Sequence, residues 1–142
     1  MIIMNKLFSV SNSSERIDVA ILIVRVGIAL LMLTHGLSKI AGFSESPVQF
    51  IDFMGMGPEI SLALAIFAEV GCSFLILIGL GTRLAAIPLI ITMLVAVFIA
   101  HAGDPFAKQE MGLHYLLVYV MLFLTGSGKY SLDKYVFAKN HI

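Results

Sequence analysis

The chain has 142 residues, 59% of them hydrophobic, and a mean hydropathy of +0.99, which is more apolar surface than one small soluble core could bury. Nine basic residues balance nine acidic ones and no run of like charge occurs, so the composition argues against nucleic-acid binding and against attachment through a polybasic surface. The single cysteine, Cys72, rules out an internal disulfide and a Cys-x-x-Cys exchange centre.

These properties predict an integral membrane protein whose first partner is the lipid bilayer. The opening segment MIIMNKLFSVSNSSERID lacks the basic, apolar and small-residue succession of a cleaved signal, so the first span reads as an uncleaved signal-anchor. Apolar runs at about 19–38, 59–80, 82–100 and 109–126 compare with roughly 17–25 residues per helical crossing. The fourth is the shortest and the most polar at its start. Hydrocarbon offers the backbone no hydrogen-bond partner, so runs of this length are helices, and the expected fold is all-α: a four-helix transmembrane bundle forming one domain.

Between the first two runs, Ser46-Pro47 followed by Val48, Ile51, Phe53 and Met54 predicts a short interfacial helix, ended by Gly55, Gly57 and Pro58. Lys6, Arg16, Arg83, Lys129, Lys134 and Lys139 fall on one side of the bundle, Lys39 and Lys108 on the other. By the positive-inside rule the tails 1–17 and 127–142 are cytoplasmic.

Two ions interrupt the spans. Arg25 lies in VAILIVRVGIALLMLTHGL and Glu69 in ISLALAIFAEVGCSFLILIGL. An unpaired charge at bilayer depth costs several kcal/mol, so the chain must join the two or hide each separately. Measured from Val19 and Leu80, a rise of about 1.5 Å per residue puts Arg25 roughly 9 Å deep and Glu69 roughly 16 Å deep, a difference an arginine side chain could bridge. The expectation is a candidate polar core in which Arg25 and Glu69 pair or share one network. Such a pair could equally act only in assembly.

A second cluster is expected in the outer half. His35 ends the first span, His101 ends the third, and Glu110 and His114 open the fourth at a spacing that shares one helix face. These four residues form a candidate ligand pocket for a quinone-like or other small polar-headed molecule, because histidine readily exchanges protons near neutral pH. The plainer alternative is interfacial histidines that cap helix ends. They form no compact metal-ligand motif, so no metal site is assigned. Pro88 and the scattered methionines read as ordinary features of membrane helices. Gly126-Ser127-Gly128-Lys129 lacks the spacing of a phosphate loop and reads as a helix stop.

Taken together, Arg25, His35-Gly36-Leu37-Ser38-Lys39, Glu69, Gly81-Thr82-Arg83-Leu84-Ala85-Ala86, His101, Glu110 and the tail Gly126-Ser127-Gly128-Lys129-Tyr130-Ser131-Leu132-Asp133 resemble the DoxX family of small bacterial membrane proteins. The resemblance runs from about Val19 to Tyr135. It implies a four-helix protein of the bacterial inner (plasma) membrane, described as a candidate oxidoreductase or as a partner in membrane redox and stress responses. It also implies a link to quinone, through relatives associated with a thiosulfate:quinone oxidoreductase. The expected function is support of quinone-linked redox chemistry with a membrane redox partner protein. The alternatives are a non-catalytic accessory or assembly subunit and a small-solute or proton transporter. The small residues Ala20, Gly27 and Ala29 could pack within one bundle or between copies in a homo-oligomer.

Overall fold

Backbone groups in hydrocarbon must find partners within their own segment, and every regular element among the described residues is helical. The computed structural model describes residues 14–137; segments 1–13 and 138–142, with Lys6 and Lys139, lie outside the described residues. Helix α1 spans Ser14–Ile40 and runs on into a 3-10 turn at Ala41–Ser44. Helix α2 spans Pro58–Ile78 and contains a π-helical stretch at Phe67–Cys72. Helix α3 begins at Thr82–Val95 and also turns π-helical, over Ala96–Ala100. Helix α4 covers Phe106–Thr125, and a short α5 covers Leu132–Phe137.

Three of these segments, Ser14–Ser44, Pro58–Ile78 and Thr82–Ala100, are long and apolar enough to cross a membrane. Helix α4 has the length but carries Lys108, Gln109, Glu110 and His114 in its first half. The helices alternate in direction. The core between them holds Ala29, Met32, Ala68, Cys72, Ile76, Leu89, Tyr119 and Leu122, while Ile23, Leu31, Phe74 and Leu117 face outward, as expected where hydrocarbon is the solvent.

Small residues set how closely the helices approach. At Gly36 an added Cβ would stand 2.7 Å from Val70 Cγ2 and 2.9 Å from the Glu69 backbone carbon, so α1 and α2 meet nearly backbone to backbone there. At the other end of the same pair, Gly79 turns the chain from α2 toward α3 with a φ of 72° and lies against the Arg25 guanidinium. Only glycine meets both demands.

The interfacial helix expected after Pro47 is absent. Residues 45–57 are irregular, because Met54, Gly55 and Gly57 take φ values of 56°, 74° and 92° and side chains fix the segment to α2 instead. Asp52 Oδ1 accepts the Gly57 N–H at 2.8 Å, and Ser61 Oγ accepts the Phe53 N–H at 2.9 Å. Of the apolar residues that suggested a helix, Ile51 and Phe53 line a cavity, while Met54 is exposed.

Candidate functional site

Glu69 sits in the π-helical stretch of α2, where the wider turn carries its side chain toward α1; such turns recur at functional sites. Its side chain is 4% exposed and accepts a hydrogen bond from Lys39 Nζ at 2.6 Å, the lysine being 30% exposed. Because Gly36 lets α1 lie directly against residues 69 and 70, Lys39, three positions further along, needs only its own length to reach the carboxylate.

This ion pair borders two cavities. The larger, about 380 Å³, has walls from Phe53 in the loop, Leu64 and Phe67 in α2, and Pro88 and Ile91 in α3. Thr92 turns its hydroxyl away to the Pro88 carbonyl at 2.8 Å, which leaves Lys39, Glu69, Ser61 and His101 as the main polar groups of the wall. The smaller cavity, about 150 Å³, is lined by Met32, His35, Met93 and Tyr115 and shares Lys39, Glu69, Ala96 and His101 with the larger. Each π-helical stretch therefore contributes a residue, Glu69 or Ala96, to both cavities.

His101 is held from the loop side. Its Nδ1 lies 2.7 Å from Asp104 Oδ2, and its carbonyl accepts Gln109 Nε2 at 2.7 Å. The hydrogen bond from His101, helped by Lys108 at 3.7 Å, holds the Asp104 carboxyl below the usual carboxylate range. His35 meets Tyr115 edge to face with ring centroids 5.7 Å apart.

Of the expected ligand cluster, then, His35 and His101 come together beside Glu69. Glu110 and His114 do not: they stand 3.8 Å from each other on the outward face of α4, 50% and 69% exposed, and line neither cavity. Their spacing placed them correctly on one face, but that face points away from the bundle. Lys39 is the participant that residue type concealed, since a lysine at a span end reads as an orientation marker. Its i, i+4 relation to His35 was the available signal.

Direct pairing of Arg25 with Glu69 does not occur. Gly79, not Glu69, lies opposite Arg25, and Glu69 lies opposite Gly36, eleven residues along α1 from Arg25. That offset is roughly 16 Å along the axis, beyond the reach of one arginine. Each ion is sheltered separately. Arg25, 2% exposed, donates from Nη1 to the Ser127 carbonyl at 2.6 Å and from Nη2 to the Tyr130 carbonyl at 2.7 Å. Gly126, with a φ of 77°, ends α4 and starts the loop that presents those carbonyls. Asp133 completes the closure by accepting the Gly81 N–H at 2.7 Å and donating its own N–H to the Gly79 carbonyl at 2.9 Å.

Residues 20–102 match the family model of DoxX, a span that runs from α1 through His101. The chain belongs to the DoxX family. Arg25, Lys39, Glu69 and His101 all lie inside the matched DoxX segment, whereas Glu110 and His114 lie beyond it. Relatives include a Bacillus subtilis (strain 168) protein named "Putative oxidoreductase CatD", 29% identical over 125 residues, covering 87% of this DoxX chain and 92% of the relative. Two Escherichia coli (strain K12) relatives are named "Inner membrane protein YqjF", 31% identical over 123 residues with 82% and 92% covered, and "Inner membrane protein YphA", 28% identical over 126 residues with 82% and 89% covered. No solved structure matches the chain.

Proposed function

We propose that this chain is a multi-pass protein of the bacterial inner membrane that binds a quinone-like molecule beside Lys39, Glu69 and His101 and supports quinone-linked redox chemistry. The observation that carries this reading is an ion pair with a buried carboxylate, joined by Ser61 and His101, at the edge of a mostly apolar cavity of about 380 Å³. Small-molecule sites are typically of roughly 300–1,000 Å³ and combine apolar walls with a few convergent polar groups. A flat ring with carbonyl oxygens and an apolar tail suits that combination. The word oxidoreductase in the name of the Bacillus relative and the words inner membrane in those of the two Escherichia coli relatives agree with it. All four long helices cross the bilayer in this reading. The end bearing Arg16, Arg83, Lys129 and Lys134 is cytoplasmic, and Lys39 and His101 lie in the outer half.

The chemistry a quinone would supply when bound is reduction to a quinol by two electrons, from a membrane redox partner protein, and two protons. Lys39 would donate to a ring carbonyl oxygen while Glu69 fixes its ammonium. Phe53, Leu64 and Phe67 keep bulk water from the ring. His101, oriented by Asp104, exchanges protons with the outer aqueous phase. Arg25 takes no part in this chemistry and holds the far end of the bundle closed.

Quinone turnover in membrane vesicles, followed by absorbance, tests the reading. Vesicles enriched in the protein turn over quinone faster than vesicles without it, and Lys39→Met at equal abundance loses the gain. A rate unaffected by the protein would favour instead a non-catalytic accessory subunit.

A further inference from the structure

At the end of the bundle opposite Lys39, a groove of about 520 Å³ opens between the start of α3, the 125–128 loop and α5. Three cations border it: Arg83, Lys129 and Lys134. Two carboxylates also border it, but both are taken up by the backbone. Asp133 accepts the N–H groups of Gly81 at 2.7 Å and Thr82 at 3.4 Å, and Asp18 accepts that of Lys129 at 3.0 Å. The cations are less engaged. Arg83 lies over Gly126 and uses one of its five N–H donors on the Leu124 carbonyl at 3.2 Å; Lys129 Nζ stands 5.9 Å from the centroid of the Tyr130 ring, and among the described residues neither Lys129 nor Lys134 forms a salt bridge.

The rim of the groove is apolar and exposed: Leu84 at 74% and Phe137 at 57%. Large apolar side chains so exposed beside a cationic groove, at the mouth of a membrane bundle, match the boundary between headgroups and acyl chains. We infer that this groove binds the phosphate of an anionic phospholipid, with Arg83, Lys129 and Lys134 around the phosphate and Leu84 and Phe137 against the first carbons of the chains. Guanidinium is suited to phosphate by its fork of donors, and each lysine adds a point charge. The groove wall includes Ser127, whose carbonyl holds Arg25, so an occupied groove also braces the closure of that end. This inference is independent of what occupies the outer cavity.

Native mass spectrometry of the full-length protein, in detergent with equimolar phosphatidylglycerol and phosphatidylcholine of identical chains, provides the test. The expected result is a phosphatidylglycerol adduct about tenfold more abundant, as one or two charge-assisted contacts would give. Arg83→Gln and Lys134→Gln each remove most of that preference, while Lys108→Gln, an equal charge loss at the other end, leaves it intact. Equal adducts of the two lipids in the unaltered protein would overturn the lipid as occupant, and an equal loss in Lys108→Gln would overturn the site. A second arm compares melting temperature in inorganic phosphate and in chloride at equal ionic strength. No shift there, with the lipid preference present, assigns the site to a headgroup; a phosphate shift lost in Arg83→Gln, without lipid preference, keeps the phosphate chemistry but removes the lipid.

Discussion

Lys39 Nζ lies 2.6 Å from Glu69 Oε2, and the pair stands at a cavity wall, not in the packed core of the bundle. Glu69 is almost wholly withdrawn from solvent, and its described partner is a lysine that keeps 30% exposure. The pair is therefore asymmetric: the carboxylate depends on the ammonium more than the reverse.

Removing the ammonium alone should be costly. Lys39→Met leaves a buried carboxylate without its partner and should destabilise the protein by about 2–3 kcal/mol, near or below the low end for broken buried pairs because the lysine is partly exposed. Lys39→Met combined with Glu69→Leu should recover most of that loss. Unfolding of both variants in mixed micelles measures it, and additive losses would show that the two residues do not act as a pair.

Arg25 is bound through the geometry of its fork. Its two donors reach two backbone carbonyls, Ser127 and Tyr130, three residues apart on a loop with no other tie to mid-α1 among the hydrogen bonds of the described residues. Arg25→Lys can satisfy one of them, so it should lose about 2 kcal/mol, and Arg25→Met about 3 kcal/mol or more, from hydrogen bonds to a charged group. Amide exchange over residues 126–131 should speed up in both, in that order. Unchanged exchange would mean that the loop is held by Asp18 and Asp133 alone.

Gly36→Ala probes the approach of α1 to the π-helical stretch. The new methyl would stand 2.9 Å from the backbone carbon of Glu69, an atom that cannot step aside as a flexible side chain can. The helices must part, at a cost of about 1–3 kcal/mol. The shift also moves Lys39 away from Glu69, so Gly36→Ala should weaken the coupling measured between those two residues, whereas Gly27→Ala, which meets nothing within 4 Å, should not.

Much of this was legible in the residues, and the part that was not has physical reasons. Apolar runs marked the helices because hydrocarbon demands both length and hydropathy, and Arg25 and Glu69 stood out because ions there need shelter. The partners of Arg25 were hidden, since Ser127 and Tyr130 contribute carbonyls that every residue type has. The offset between α1 and α2 was hidden too. It follows from the close approaches at Gly36 and Gly79, which no residue pattern announced, and it decides that the two ions cannot meet. The π-helical stretches at 67–72 and 96–100 carry no sequence signature, yet they line the larger cavity. The spacing of Glu110 and His114 gave their shared face but not its direction, since a shared face says nothing about where that face points.

Asp104 gives a pH dependence with a definite sign. Its folded-state pKa lies below the usual carboxylate value, held there by His101, so its contribution to stability is present above the unfolded pKa of about 3.9 and is lost as pH falls through the lower folded value. Carboxyl carbon shifts followed by nuclear magnetic resonance should place the Asp104 midpoint below that of an unpaired aspartate, and His101→Ala should raise it. An unchanged midpoint in His101→Ala would remove the imidazole as the cause.

The most direct test is to purify the protein from its native membranes in mild detergent, extract what it holds, and identify it by chromatography and mass spectrometry. A quinone should be recovered at close to one per chain from the unaltered protein and at a small fraction of that from the Lys39→Met and Glu69→Leu double variant, which retains the fold. Equal recovery from both, or only trace recovery from the unaltered protein, would contradict a ligand site beside Lys39 and Glu69.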